Sequence, residues 1–162
     1  MIEIIFLDVD GCLTDGSINY SSNGELFKSF NVKDGYAIEG WLKLGKKIAI
    51  ITGRKSEIVE RRAEDLKITH VYQGVKDKLQ TAIEILNFEG LELKNAAAIG
   101  DDYNDFQLLN SVKWSFKPKN AIPELKVKTK LKSKGGKGAI REMIEIIIKK
   151  ENLYDEWSKN WL

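Results

Sequence analysis

Four short apolar runs punctuate the chain: "IIFLDV" from Ile4, "KIAIITG" from Lys47, "HVYQG" from His70 and "AAAIGD" from Ala96. None alternates apolar with polar positions, which is the pattern of strands covered on both faces. Between them the apolar spacing changes to three and four residues: Ile38, Trp41 and Leu42; Leu79, Ile83 and Leu86; and, less cleanly, Ile58, Arg62 and Leu66. These segments predict helices, with Asp34, Ser56 and Asp77 as caps or first-turn residues. Strand and helix in alternation predict an α/β fold, a doubly wound, mostly parallel open sheet of Rossmann-like form with helices on both faces. A β/α barrel would need a much longer chain.

The first crossover holds extra residues. In "SINYSSNGELFKSFN" the triplet Ser22-Asn23-Gly24 is a turn signal between two β-prone arms, so residues 17–30 predict a hairpin insertion too small to be a cap domain. Further on, Lys126, Lys128, Lys130, Lys132 and Lys134 alternate with Val127, Thr129 and Leu131, the pattern of an edge strand protected by lysines. After the helical "IREMIEIIIKK", the tail 151–162 places Leu153, Trp157 and Trp161 on one stripe, a pattern used for packing. With 162 residues, one domain over 1–162 is expected.

Composition narrows the function. The 26 basic and 24 acidic residues nearly cancel, which argues against a dedicated nucleic-acid binder and favours small-molecule chemistry. The chain opens "MIEIIFLDVDG" without a basic leader or a bilayer-length apolar run, so a cytoplasmic protein with no membrane partner is expected. The single cysteine, Cys12, excludes an internal disulfide and reads as a small packed residue. His70 reads as a strand-edge residue with no catalytic task.

Chemistry gathers at the predicted strand ends, where open parallel sheets bind ligands. The first strand ends in Asp8 and Asp10, the second in Thr52-Gly53-Arg54, the third leads through Gly74 to Lys78, and the fourth ends in Asp101-Asp102 with Asp105 one turn on. Crowded carboxylates are costly when buried, so a positive partner is expected nearby. A phosphoryl-transfer site meets that need: a carboxylate attacking a phosphate dianion requires a divalent cation and a lysine to screen like charges. Asp8, Asp101 and a backbone carbonyl would supply the hard oxygens that magnesium prefers. Lys78, placed at a helix start where the macrodipole disfavours a cation, would be the fixed positive charge. Thr52 would donate to a phosphoryl oxygen, and Asp10 would protonate the leaving alcohol and later deprotonate water.

"DVDGCLTDG", "ITGR", Lys78 and "GDDYND", in that order, resemble the four motifs of the haloacid dehalogenase superfamily. "FNVKDGYAI", "ITGRKSEIVERRAEDL", "VYQGVKDKL" and "GGKGAIRE" are similar to the capless 3-deoxy-D-manno-octulosonate 8-phosphate phosphatases, a resemblance that runs over nearly the whole chain. It implies a sugar-phosphate hydrolase of lipopolysaccharide precursor synthesis that works through an aspartyl-phosphate with Mg2+. By resemblance Asp8 is the nucleophile and Asp10 the acid/base; Asp8, Asp10 through its carbonyl, and Asp101 hold the metal; and Thr52, Gly53, Arg54, Arg62 and Lys78 bind substrate. Asp102 and Asp105 would support the metal ligands or the lysine. The resemblance also implies a homotetramer whose neighbouring subunits complete the active site; the tail would either pack on its own subunit or, as the resemblance favours, cover the site of an adjacent one.

Arg54 bears on the substrate. Some relatives that act on nine-carbon sialic-type acid 9-phosphates look like carriers of glutamate there, so arginine favours the eight-carbon acid; an arginine fork suits a carboxylate. The plainer alternative is an ion pair with an acid such as Asp65. From other classes, a receiver domain has its acidic pair early and its phosphoacceptor alone on a middle strand, unlike this order, and a non-catalytic assembly module would not need intact motifs.

Overall fold

Every side chain of β1 (Ile4–Leu7) is buried, because the strand lies mid-sheet with helices on both sides. The computed structural model describes residues 1–161; Leu162, the last residue of the tail, lies outside them. After β1 the chain forms the hairpin β2 (Asn19–Ser21) and β3 (Gly24–Phe27), then α1 (Val32–Lys43), β4 (Lys47–Ile51), α2 (Glu57–Asp65), β5 (His70–Tyr72) and α3 (Lys78–Glu89). It continues with β6 (Ala96–Ile99), α4 (Phe106–Ser111), β7 (Trp114–Lys117), β8 (Thr129–Lys130), α5 (Ala139–Lys150) and α6 (Tyr154–Ser158).

The main sheet has six strands in the order β5-β4-β1-β6-β7-β8, all parallel. Ile4 pairs with Lys47 on one side and Ala96 on the other. Alternate residues feed two cores. Ile5, Leu7, Ile48, Ile50, Ala97 and Ile99 pack with α1, α2 and α5, while Ile4, Phe6, Ala49, Ile51, Ala96 and Ala98 pack with α3 and α4. Two apolar faces account for the runs at β1, β4 and β6, whereas β5 is an edge strand with His70 and Val71 half-buried and Tyr72 exposed, not the doubly covered strand its run predicts.

Chain order reverses between β1 and β6, since β4 and β5 fill one side of β1 before the chain crosses to the other. That reversal opens a crevice at the carboxyl ends of β1 and β6, where this topology binds ligands. The hairpin forms its own two-stranded sheet, with the turn at the predicted residues and Gly24 at φ 113°. Ser56 and Asp77 cap α2 and α3 through their side chains. Asn31 caps α1, and Asp34 lies in its first turn, where it accepts from the Arg141 N–H at the start of α5.

The lysine-rich stretch forms the sheet edge, its alternating lysines exposed and β8 the outermost strand. Of the two courses open to the tail, packing on its own chain is the one seen. Within this chain α6 folds back on α1 and α5: Trp157 is 5 % exposed and Gly40 makes room for it, since a β-carbon there would lie 2.4 Å from its Nε1. Trp161 meets Tyr36 edge-on at 5.5 Å. The stripe therefore packs on its own subunit, because α1 offers a glycine-floored groove beside the end of α5.

Candidate active site

Asp8 immediately follows β1 and is buried, its N–H donating to the Ile99 carbonyl of β6 at 3.3 Å. The chain then turns tightly over Val9–Leu13, with Gly11 at φ 94°. Thr14 closes this turn, its Oγ1 accepting from the N–H groups of Gly11 and Gly16 at 3.3 and 3.2 Å. Lys78 is the first residue of α3, and its side chain runs inward. Its Nζ donates to Asp8 Oδ1 and to Asp105 Oδ1, both at 2.6 Å. The other Asp105 oxygen accepts from the N–H groups of Asp101 and Asp102 at 2.9 and 3.3 Å. Asp105 thus fixes the lysine and the loop after β6 together.

The carbonyl of Asp101 is also held, accepting from the Ile122 N–H at 3.0 Å. Ile122 belongs to a loop organised by Lys117, a buried lysine whose Nζ donates to the carbonyls of Ile122, Pro123 and Leu125 at 3.1, 3.2 and 2.6 Å. The same loop holds Gly135 through Asn120 Oδ1 at 3.0 Å. Gly135 and Gly136 lie against the turn after β1; a β-carbon on Gly135 would lie 1.8 Å from the Gly11 oxygen. Gly135 and Gly136 of "GGKG" therefore serve close backbone approach.

A cavity of about 270 Å³ opens at the crevice, lined by Asp8, Asp10, Thr52, Gly53, Arg54, Asp101 and Asp102 together with Gly16 and Asn104. A larger one of about 680 Å³ lies beyond Lys78 and Asn104 but touches none of Asp8, Asp10 and Asp101, so the chemistry belongs to the smaller. Thr52 is buried, tied through its N–H to Tyr72 and through its carbonyl to Val75. Arg54 stands at the rim: its Nη2 donates to Tyr20 Oη at 2.8 Å and its Nε lies 4.0 Å from Asp10 Oδ2. Tyr20 and Asp10, rather than Asp65, are its neighbours. Asp102 accepts from the Tyr103 N–H at 2.7 Å, a capping contact on the cavity wall.

Arg62 does not reach this cavity. It lies on α2 facing α1, its guanidinium 5.4 Å from the Phe30 ring. Two residues not read from the sequence do belong here. Asn104 lines the wall, its only sequence signal being its place in "GDDYND". Lys28, from the hairpin, donates to Asp10 Oδ1 at 2.7 Å, and nothing in its local sequence separates it from a surface lysine.

The site carries more negative charge than Lys78 neutralises. Burial pushes Asp8 up to about 7 despite the pull of Lys78, and Asp105 and Asp101 push the same way. Burial, with Asp105 and Asp102, lifts Asp101 to about 6. Lys78 is held above the ordinary lysine value: burial works against its charge, but Asp8 and Asp105 outweigh it. Oxygens of Asp8 and Asp101 and the Cys12 sulfur lie within 4.8 Å of one another. Burial, then Asp8 and Asp101, raises the Cys12 thiol well above its usual value, as befits a packed neutral residue.

The model of the haloacid dehalogenase-like hydrolases matches residues 67–134. The chain is 39% identical over 157 residues to 3-deoxy-D-manno-octulosonate 8-phosphate phosphatase of Escherichia coli K12, covering 96% of this chain and 84% of that protein. The chain belongs to the 3-deoxy-D-manno-octulosonate 8-phosphate phosphatase family. Among solved structures of this family, the enzyme from Yersinia pestis superposes with a TM-score of 0.92 at 38% identity, covering 95% of this chain and 84% of that one. The Moraxella catarrhalis enzyme, in complex with magnesium ion, phosphate ion and a KDO molecule, superposes with a TM-score of 0.95 at 36% identity over 99% and 94% of the two chains.

Proposed function

We propose that this protein is a magnesium-dependent phosphatase that hydrolyses 3-deoxy-D-manno-octulosonate 8-phosphate to the free sugar acid and phosphate. The carrying observation is the Lys78 ammonium bridging Asp8 and Asp105 at the switch crevice, with Asp101 facing Asp8. The donor set fits magnesium: hard carboxylate oxygens crowd one point, and burial first, with the neighbouring carboxylates, raises Asp8 and Asp101 despite Lys78, so a cation there would favour their charged forms. Asp8, Asp101 and the Asp10 carbonyl would hold the ion, which when bound would neutralise the phosphate dianion.

The remaining steps belong to the chain. Lys78 occupies Asp8 Oδ1, leaving Oδ2 to attack phosphorus and form the aspartyl-phosphate. Thr52 donates its hydroxyl hydrogen to a phosphoryl oxygen. Asp10 gives a proton to the departing sugar oxygen, then takes one from the water that opens the intermediate. Arg54, held at the rim by Tyr20, is placed to bind the substrate carboxylate as a fork.

The reading includes a homotetramer. The hairpin stands off the main sheet with Tyr20, Leu26 and Phe27 exposed by 63, 58 and 49 %, more apolar surface than a two-stranded hairpin keeps alone in water. Arg62, remote from its own cavity, would act in a neighbour's. Sedimentation of the purified protein tests this, and a monomer at micromolar concentration would overturn it.

The deciding assay is kcat/KM with magnesium across the eight-carbon keto-acid phosphate, a nine-carbon 9-phosphate and simple phosphate esters. A strong preference for the first is expected. Preference for the nine-carbon acid would move the substrate, and equal rates on all would leave a general phosphatase. Chelation should abolish turnover and magnesium restore it.

A further inference from the structure

The hairpin reaches into the site through one side chain. Lys28 lies just past β3 with its side chain 1 % exposed, and its Nζ sits between Asp10 Oδ1 at 2.7 Å and Glu25 Oε1 at 2.9 Å. The second Glu25 oxygen accepts from Ser56 Oγ, and Ser56 caps α2 directly beyond the "ITGR" loop. The ammonium is therefore gripped from two sides, by the carboxylate it serves and by one anchored to the scaffold. Among the described residues Asp10 Oδ2 has no hydrogen bond, and Arg54 Nε lies 4.0 Å from it.

We propose that Lys28 is a positioning residue for the phosphatase reaction, clamping Asp10 Oδ1 so that Oδ2 is the oxygen presented to the leaving group. The inference rests on the acid/base role given to Asp10 above. A free aspartate carboxyl rotates through a broad torsional well. A proton is passed efficiently only from an oxygen within hydrogen-bond reach of the departing atom. A charge-assisted bond to a doubly anchored ammonium removes that freedom. As the phosphorus–oxygen bond to the alcohol breaks and the bond to Asp8 forms, the proton on Oδ2 passes to the alcohol oxygen. In the second step water attacks phosphorus, its proton goes to Oδ2, and Asp8 is released. Lys28 neither gains nor loses a proton in either step.

The test separates leaving groups. An alkoxide needs the acid, whereas p-nitrophenolate leaves without it. In single-turnover measurements with magnesium, Lys28→Met should slow phosphoryl transfer from a primary alkyl phosphate roughly 10–100-fold and from p-nitrophenyl phosphate no more than about threefold, against the ~10²–10⁴-fold that a lost acid costs. Lys28→Arg should restore most of the alkyl rate. Glu25→Gln, which loosens the clamp but keeps the lysine, should show the same split at smaller size and serves if Lys28→Met does not fold. Equal losses on both substrates, or none, would overturn the proposal. Asp10→Asn is the reference: if it shows no split, the acid role itself fails and the proposal with it. Inactivity of the wild type on the eight-carbon substrate alone would overturn only the substrate assignment, because any alkyl phosphate that turns over reports on Lys28.

Discussion

A β-carbon on Gly11 would lie 1.9 Å from Asp101 Oδ2. Gly11 also holds φ at 94°, a region that side-chain-bearing residues rarely adopt. The turn after β1 and the loop after β6 can bring their carboxylates together only because this position has no side chain. Gly11→Ala should push Asp101 away from Asp8 and cost at least about 100-fold in kcat/KM, the scale of a 1 Å misplacement. Calorimetric titration of magnesium into the variant should show the affinity falling in parallel. Unchanged metal affinity would show that the Asp8–Asp101 spacing does not set it.

Among the described residues Lys117 has no carboxylate partner; its three donors are spent on carbonyls of the loop that carries Ile122 to Asp101. Lys117→Met keeps most of the volume but strands those carbonyls, so a loss of at least ~2 kcal/mol in urea unfolding is expected. Faster hydrogen exchange at the Ile122 amide should accompany it. Normal protection there would mean that the loop holds Asp101 without its lysine.

Asp34 is 1 % exposed, with one oxygen on the Arg141 N–H and the other without a partner among the described residues. Burial raises its pKa from 3.8 to about 6, against the backbone N–H groups at the start of α5 and Arg62. A raised folded-state value means that the contribution to stability is complete below about pH 4 and is lost as pH rises through about 6. The stability of wild type relative to Asp34→Asn should therefore fall by roughly 2–3 kcal/mol between pH 4 and pH 7. Parallel curves would refute the assignment.

Trp157 fills the groove above Gly40 with the Arg141 guanidinium 5.1 Å from its ring. Trp157→Ala should cost ~3–5 kcal/mol, the usual range for emptying such a site, and open the tail to protease after Lys150. A stability change near zero would detach α6 from this subunit and return the tail to a neighbour.

Much of the site is legible in one dimension because a parallel sheet gathers its carboxyl ends on one side. Asp8, Asp10, Thr52, Arg54 and Asp101 each follow a buried strand by one to three residues, so recognising the strands is enough to bring them together. β7 is less visible: Trp114, Ser115, Phe116 and Lys117 read as mixed, although Phe116 and Lys117 are both buried.

Lysines mark the boundary between the two kinds of information. The alternating lysines from Lys126 to Lys134 are exposed, as their spacing implies, whereas Lys28, Lys78 and Lys117 have ammonium groups enclosed by oxygen acceptors. Lys78 is identified by its place among the strand ends and motifs. Lys28 and Lys117 are not, because their acceptors come from Asp10 across the hairpin and from a loop folded under its own strand. The sequence by itself determined the four strands that carry the site, the helical faces between them and the acids at the crevice, since hydrophobic period and strand ends are local properties. Only the tertiary structure decided which lysine meets which carboxylate, that Arg62 leaves the cavity and that Trp157 returns to α1, because a buried charge is stable only where the crossovers bring its partner within about 3 Å.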